Sequence, residues 1–183
     1  ILPAGMPFYN YELDKKGLSN IIADCHILKG RDDTLRLLDD LKMTGFQAAT
    51  RAGLSFGKDD MLVPPSKARI IAETQKDVEG TQKANARGII TEGERYLKVV
   101  DAWTHARERI GEDMLTELRN DTRAGKPHVN PIYCMIMSKA RGSVEQIRQL
   151  AGMRGLMAKP SGEIIEAPIK ANFREGLHVL EYF

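Results

Sequence analysis

Apolar residues fall into three regimes along the chain. In the first, Leu18, Ile21, Ile22, Cys25 and Leu28 recur with the period of one helix face. Asp14 stands where a capping side chain is needed, and Gly30 where a helix stops. A second helix is expected from Asp32 or Asp33, through Thr34, Leu37, Leu38 and Leu41, to Gly53. Its far end carries Gly45, Ala48 and Ala52, small residues that imply close approach by a neighbour. Leu54-Ser55-Phe56 and Met61-Leu62-Val63 have strand character around a turn at Gly57 to Asp60, and Pro64-Pro65 closes the region.

From Ser66 the apolar pattern narrows to a seam. Ile70, Ile71, Thr74, Val78, Thr81 and Asn85 lie on one proline-free run that ends at Gly88. Thr91 and Glu94 then form a capping-box pattern. A second run carries Tyr96, Val99, Val100, Trp103, Ala106, Ile110, Met114 and Leu118 on one stripe. Two helices of about 22 to 30 residues, each about 33 to 45 Å long, are expected. Their shared narrow seam and charged outer faces predict an antiparallel coiled-coil hairpin with its tip, Arg87 to Glu94, in solvent. Such a hairpin either contacts a partner or serves as a strut. Trp103 and Tyr96 read as seam residues and Asp101 as solvent-facing.

The third regime mixes short elements. Asn130 to Met137 is an apolar run, and Ser143 with Gln146 forms a second capping box. It opens a short helix with Ile147, Leu150 and Ala151 on one side and Arg148 on the other. The glycines flanking Met153-Arg154 predict a tight, mobile loop with exposed backbone. A strand is expected over Glu163 to Glu166, and a helix capped by Asn172 running to Phe183. The fold class is therefore mainly α with a few short strands: a long antiparallel helical hairpin projecting from a small α+β body.

Charge sharpens this picture locally. The 183 residues carry a net charge of only +2, which forces neither a nucleic-acid nor a membrane reading. Residues 1–65 hold 8 basic and 9 acidic side chains, residues 66–123 hold 11 of each, and residues 124–183 hold 8 and 5. Within 126–160 the only acid is Glu145. That basic stretch suits phosphates or a nucleic-acid backbone, or is simply a solvated face. No Walker sequence is present. Cys25-His26 lacks the further ligands of a metal site, and Cys25 on an apolar helix face reads as core. Two cysteines in this length exclude a disulfide scaffold. No apolar run approaches the roughly 20 residues that cross a bilayer. The opening Ile1-Leu2-Pro3 and the apolar close through Phe183 suggest a piece cut from something larger, with a trimmed whole protein as the alternative.

Three blocks carry a resemblance to a known family: Ala140-Arg141-Gly142-Ser143, the long run from Gln146 to Pro160, and Ala171-Asn172-Phe173-Arg174-Glu175-Gly176-Leu177. Earlier pieces agree: Thr44-Gly45-Phe46, Ala49-Thr50-Arg51, Asp59-Asp60-Met61, Gly93-Glu94-Arg95-Tyr96 and Asp101-Ala102-Trp103. Together they resemble the bacterial RNA polymerase beta-prime subunits over essentially the whole chain. The resemblance implies an internal fragment of a DNA-directed RNA polymerase, a cytoplasmic nucleotidyltransferase. Residues 1–65 would be a funnel-like region lining the secondary channel, 66–123 the rim helices, and 124–183 the F-loop region, with Phe183 at the start of the bridge helix. It implies an NTP-phosphate contact for Arg141, F-loop support for Arg154 and Met157, and a factor-facing rim at Glu94 and Asp101. The implied partners are the remainder of beta-prime, the other polymerase subunits, DNA, RNA, NTPs and Gre-type transcript-cleavage factors, with no membrane. Mg²⁺ would belong to the intact enzyme, its aspartates lying outside this fragment, which is expected to be inactive alone. Lys139 stands where the family pattern has glycine, and Leu97 where it has a polar residue. A free-standing coiled-coil interaction module and a small phosphate-binding enzyme using Arg141 and Arg154 are the rival readings.

Overall fold

A computed structural model describes residues 1–11 and 13–182. The chain is mainly helical with two small two-stranded antiparallel sheets. Helix α1 spans Lys15–Lys29 and α2 Arg31–Ala52. The Asp14 carboxylate accepts from the Gly17 N–H, and Gly30 and Gly53 close the two helices, Gly53 in the left-handed conformation. Gly30 also serves as the N-cap of α2, so that helix starts ahead of Asp32 and Asp33, which occupy its first turn. A carboxylate there still complements the helix dipole. Ile21, Cys25 and Leu37 form the small core between α1 and α2.

Two expectations for this region fail. Residues 54–56 and 61–63 are not strands. They flank a 3-10 turn at Lys58–Asp60 and have no strand to pair with. Gly45, Ala48 and Ala52 are exposed, and nothing in the chain lies within 4 Å of a Cβ placed on Gly45. The small residues thus mark a face left uncovered by this segment.

The helical hairpin forms as its pattern requires. Helix α3 spans Lys67–Ala86 and α4 Glu92–Arg119. Thr91 and Glu94 make the capping box, the Glu94 N–H donating to the Thr91 hydroxyl at 3.3 Å. Ile70 and Val78 on α3 meet Val99, Trp103, Ala106 and Ile110 on α4, all at most 5% exposed. The seam is covered on one side as well as across. Met153, fully buried, and Leu156 pack into the same cluster.

Lower down α4, Met114 and Leu118 pack on α5 (Pro131–Met137) and α6 (Val144–Ala151). Between α4 and α5 lies the short hairpin of β1 (Thr122–Arg123) and β2 (Lys126–Pro127). After α6, β3 (Gly155–Ala158) pairs antiparallel with β4 (Ile164–Ile169) alongside α4. The charged tip is exposed at Arg87 to Ile89 and Thr91 to Glu94, but the hairpin just below it is flanked by β4.

The last third departs from expectation at three points. Arg148, expected on the side opposite Ile147, Leu150 and Ala151, is buried along with Ile147 and Ala151. Its stem packs where Gly111 leaves room on α4, and its head pairs with Glu145 one turn away. Gly152-Met153-Arg154-Gly155 is not an exposed mobile loop, because Gly152, Met153 and Gly155 are all buried. The glycines serve close packing: a Cβ on Gly152 would stand 2.9 Å from the Arg148 carbonyl oxygen. Asn172 does not start a long helix. It is fully buried, donates to the Ala151 and Gly152 carbonyls at 2.9 and 3.0 Å, and accepts from Glu175 N–H across a single turn. Among the described residues only α7, Val179–Tyr182, is helical beyond it. The placement of Phe183 lies outside the described residues.

Candidate functional site

Arg141 sits on the connection between α5 and α6, and both ends of that connection are pinned. At the end of α5 the Ser138 N–H donates to the Cys134 carbonyl at 3.1 Å and the Ser138 hydroxyl to the Met135 carbonyl at 3.2 Å. Ser143 caps α6, with Gln146 returning the bond to the Ser143 N–H. Between them Lys139 and Gly142 take left-handed backbone conformations, φ 56° and 82°. Arg141 is exposed at one wall of an apolar slot of about 180 Å³, whose other walls include Phe56, Met61, Met135, Ile136 and Leu150. Arg141 has no ion pair among the described residues. A charged fork beside an apolar wall can meet an anionic group whose attached body packs on the wall.

Lys139 keeps the left-handed turn that the resemblance assigns to glycine. Its ammonium reaches the Asp14 carboxylate at 2.8 Å and so ties this turn to the cap of α1. Asp14 is held below the usual carboxylate range, first by that bond and then by the Gly17 N–H. A left-handed lysine costs about 1 kcal/mol or more, and glycine removes most of that cost. Lys139→Gly is therefore expected to raise the melting temperature slightly. Lys139→Ala keeps the strain and loses the ion pair, so it should melt below wild type. Thermal unfolding of the three chains in one buffer checks the order.

Arg154 and Met157 stand elsewhere. Arg154 is half-buried with its guanidinium 5.3 Å over the Phe173 ring, a cation–π geometry, and its N–H donates to the Ala171 carbonyl. Met157 pairs with Ile165 across the β3–β4 ladder. Neither lines the slot beside Arg141. The phosphate-binding-enzyme reading therefore loses its paired arginines. Among the described residues it also lacks a serine–histidine pair: Ser138 donates to the Met135 carbonyl, Ser143 caps α6, and His105 contacts Asp101.

At the hairpin tip, the Glu94 carboxylate accepts from the Thr91 N–H and hydroxyl at 2.9 and 3.2 Å, which lowers its pKa. Asp101 is exposed about two turns further on, where its carbonyl and carboxylate raise the pKa of His105. Between them Arg95 is the most heavily engaged side chain of the region. It binds Glu166 with both terminal nitrogens at 2.6 and 2.7 Å and also binds Glu92. Those bonds push its pKa up, Glu166 contributing most, and hold Glu166 and Glu92 low. Sequence reading missed this pair. Glu92 is visible at helix spacing, but Glu166 is 71 residues away and only the tertiary fold brings it in.

No three metal-ligating side chains converge among the described residues. Asp60, the most enclosed acid of the Asp59-Asp60 pair, is spent on the Gly57 N–H and on Arg123. The described residues do not fit a Mg²⁺ site. No helix among the described residues is long and apolar enough to cross a membrane.

Residues 90–174 match the family described as RNA polymerase Rpb1, domain 4. Over its whole length the chain is 56% identical to the DNA-directed RNA polymerase subunit beta' of Rhodopirellula baltica. The chain belongs to the bacterial RNA polymerase beta-prime family. Its similarity to the beta-prime subunit of Koribacter versatilis is 51% over 98% of the chain, and to that of Aquifex aeolicus 49% over the full chain. It spans only 13%, 13% and 12% of the lengths of these three relatives. The buried glycines at 152 and 155 and the capped turn around Arg141 thus lie in the stretch that the chain shares with these relatives.

Proposed function

We propose that this segment lines the nucleotide-entry channel of a DNA-directed RNA polymerase, which copies DNA into RNA from NTPs. In this reading residues 1–65 form the funnel wall. Residues 66–123 form rim helices at the channel mouth, and residues 124–183 form the F-loop region that supports the bridge helix and trigger loop. The other polymerase subunits, the rest of beta-prime, and DNA and RNA are its partners in the assembled cytoplasmic enzyme, where Mg²⁺ supplies the metal chemistry. Gre-type factors would dock at the exposed tip, with Glu94 and Asp101 facing them. The same exposed tip is the feature that favours the rival reading of an interaction module, but the 56% identity along the full chain supports the polymerase segment.

The observation that carries the nucleotide contact is Arg141, a solvent-facing guanidinium with no ion pair among the described residues, on a turn held between the C-cap of α5 at Ser138 and the N-cap of α6 at Ser143. A planar cation held in that way meets triphosphate oxygens without first breaking an ion pair of its own. Arg141→Ala in the assembled polymerase is expected to raise the KM for NTP by about tenfold, one charge-assisted contact being worth about 1.4 kcal/mol or more. Single-nucleotide addition on a defined scaffold measures it. An unchanged KM removes Arg141 from the nucleotide path.

A further inference from the structure

The β3–β4 ladder is interrupted where it matters most. Gly155 pairs with Ile169 and Met157 with Ile165, so Glu166, Ala167 and Pro168 stand opposite Leu156 alone. Pro168 has no N–H to give. The backbone therefore does little to hold this stretch of β4, and side chains of α4 take over. Arg95 grips Glu166 through two parallel bonds and Glu92 through Nε and Nη2. One residue on, the Tyr96 hydroxyl donates to the Ile164 carbonyl at 3.1 Å. The Arg95 side chain is only 13% exposed, and Asn85 of α3 braces Glu92 at 2.7 Å. The hairpin tip and the broken ladder are thereby locked to each other.

We infer that Arg95 is a positioning residue for nucleotide addition, holding the β3–β4 hairpin, and with it Met157 and Arg154, in place against α4. This deepens the channel reading above and rests on it. Met157 follows the interruption directly and pairs with Ile165, the neighbour of Glu166. Arg154 precedes it, between the buried Met153 and Gly155, with a backbone bond to Ala171 and its guanidinium over the Phe173 ring. Releasing Glu166 removes the side-chain anchor of the β4 stretch opposite Leu156, so Met157 beside it gains room to shift and the strain passes along β3 toward Arg154. A guanidinium is required because a single ammonium cannot present parallel donors to Glu166 while also bonding Glu92.

The test uses assembled polymerase carrying Arg95→Ala, Arg95→Lys or Glu166→Gln in beta-prime, with rates normalised to the titrated fraction of active complexes. Arg95→Ala should lower kcat for single-nucleotide addition about tenfold, the scale of a modest loss of positioning, with KM for NTP nearly unchanged. Arg95→Lys should fall between it and wild type. Glu166→Gln, which barely alters volume, should lower kcat in the same direction even if Arg95→Ala fails to assemble. A purely structural role predicts fewer active complexes or a lower melting temperature with normal kcat per complex, and that result overturns the inference. So does a change confined to KM. Arg141→Ala measured in the same preparation separates the two claims. A raised KM there with normal kcat in the Arg95 and Glu166 variants defeats the positioning role alone. An unchanged KM with lowered kcat in those variants defeats the Arg141 contact alone.

Discussion

Gly155→Ala is expected to destabilise the fold by about 3 kcal/mol or more, and Gly162→Ala by only about 1–2 kcal/mol. The two glycines share a positive φ, +87° and +88°. Any L side chain at either position carries a positive-φ penalty. What differs is the space around them. Nothing lies within 4 Å of a Cβ on Gly162, in the exposed turn between β3 and β4. A Cβ on Gly155 would stand 2.7 Å from Cδ and 3.3 Å from Cγ of Arg107. Relief requires the Arg107 stem, whose Cδ and Cγ lie against β3, to be displaced along its length rather than only at its tip. Overpacking of that kind adds about 1–3 kcal/mol. Denaturant unfolding of the two single variants gives the difference directly. Equal losses would show that the left-handed backbone alone, and not contact with α4, makes glycine necessary at 155.

That comparison also explains why the segment 152–155 was misread from the sequence. Glycine signals either freedom or lack of room, and the letters do not distinguish them. Exposure was inferred from Gly152 and Gly155, whereas both are places where a helix side chain or carbonyl crowds the backbone. Periodic features fared better because their cause is local. The seam from Val99 to Leu118 was legible residue by residue, since a 3.6-residue repeat decides which side chains face inward. The caps at Asp14, Thr91 and Ser143 were legible for the same reason: each bonds an N–H three residues away. Arg148 was misplaced because periodicity ranks residues by hydropathy. A long stem that lies over Gly111 and pairs its head with Glu145 satisfies burial without being apolar. Of the candidate site, the basic character around Arg141 was visible in the charge count, but the apolar slot beside it was not. Its walls come from Phe56 and Met61 as well as from α5 and α6, and no local pattern links those segments.

Asn130→Ala is expected to cost about 3–4 kcal/mol, the sum of a lost helix cap and a buried carboxylate deprived of its donor. Asn130 is 1% exposed and uses both ends of its amide. The oxygen accepts from the Ile132 and Tyr133 N–H groups and starts α5. The nitrogen donates to the Asp60 carbonyl at 2.9 Å and to the Asp121 carboxylate at 3.0 Å. Asp121 is itself only 7% exposed, and a cationic neighbour, Arg123, stands 3.8 Å away and is shared with Asp60. One side chain thus joins the 3-10 turn, the end of α4 and the start of α5, the helix that leads to Arg141. Asn130→Asp separates the two contributions. An aspartate still caps α5, but it removes the donor and sets a second carboxylate against Asp121. If the network dominates, Asn130→Asp should be destabilised at neutral pH nearly as much as Asn130→Ala. It should then regain part of that loss as the pH falls far enough to protonate one of the two acids, because protonation restores a donor and removes the repulsion. If the cap dominates, Asn130→Asp should instead unfold close to wild type at neutral pH. Denaturant midpoints for both variants at neutral and mildly acidic pH decide between the outcomes, and a near-wild-type Asn130→Ala would show that α5 is held by its apolar contacts with Met114 and Leu118 alone.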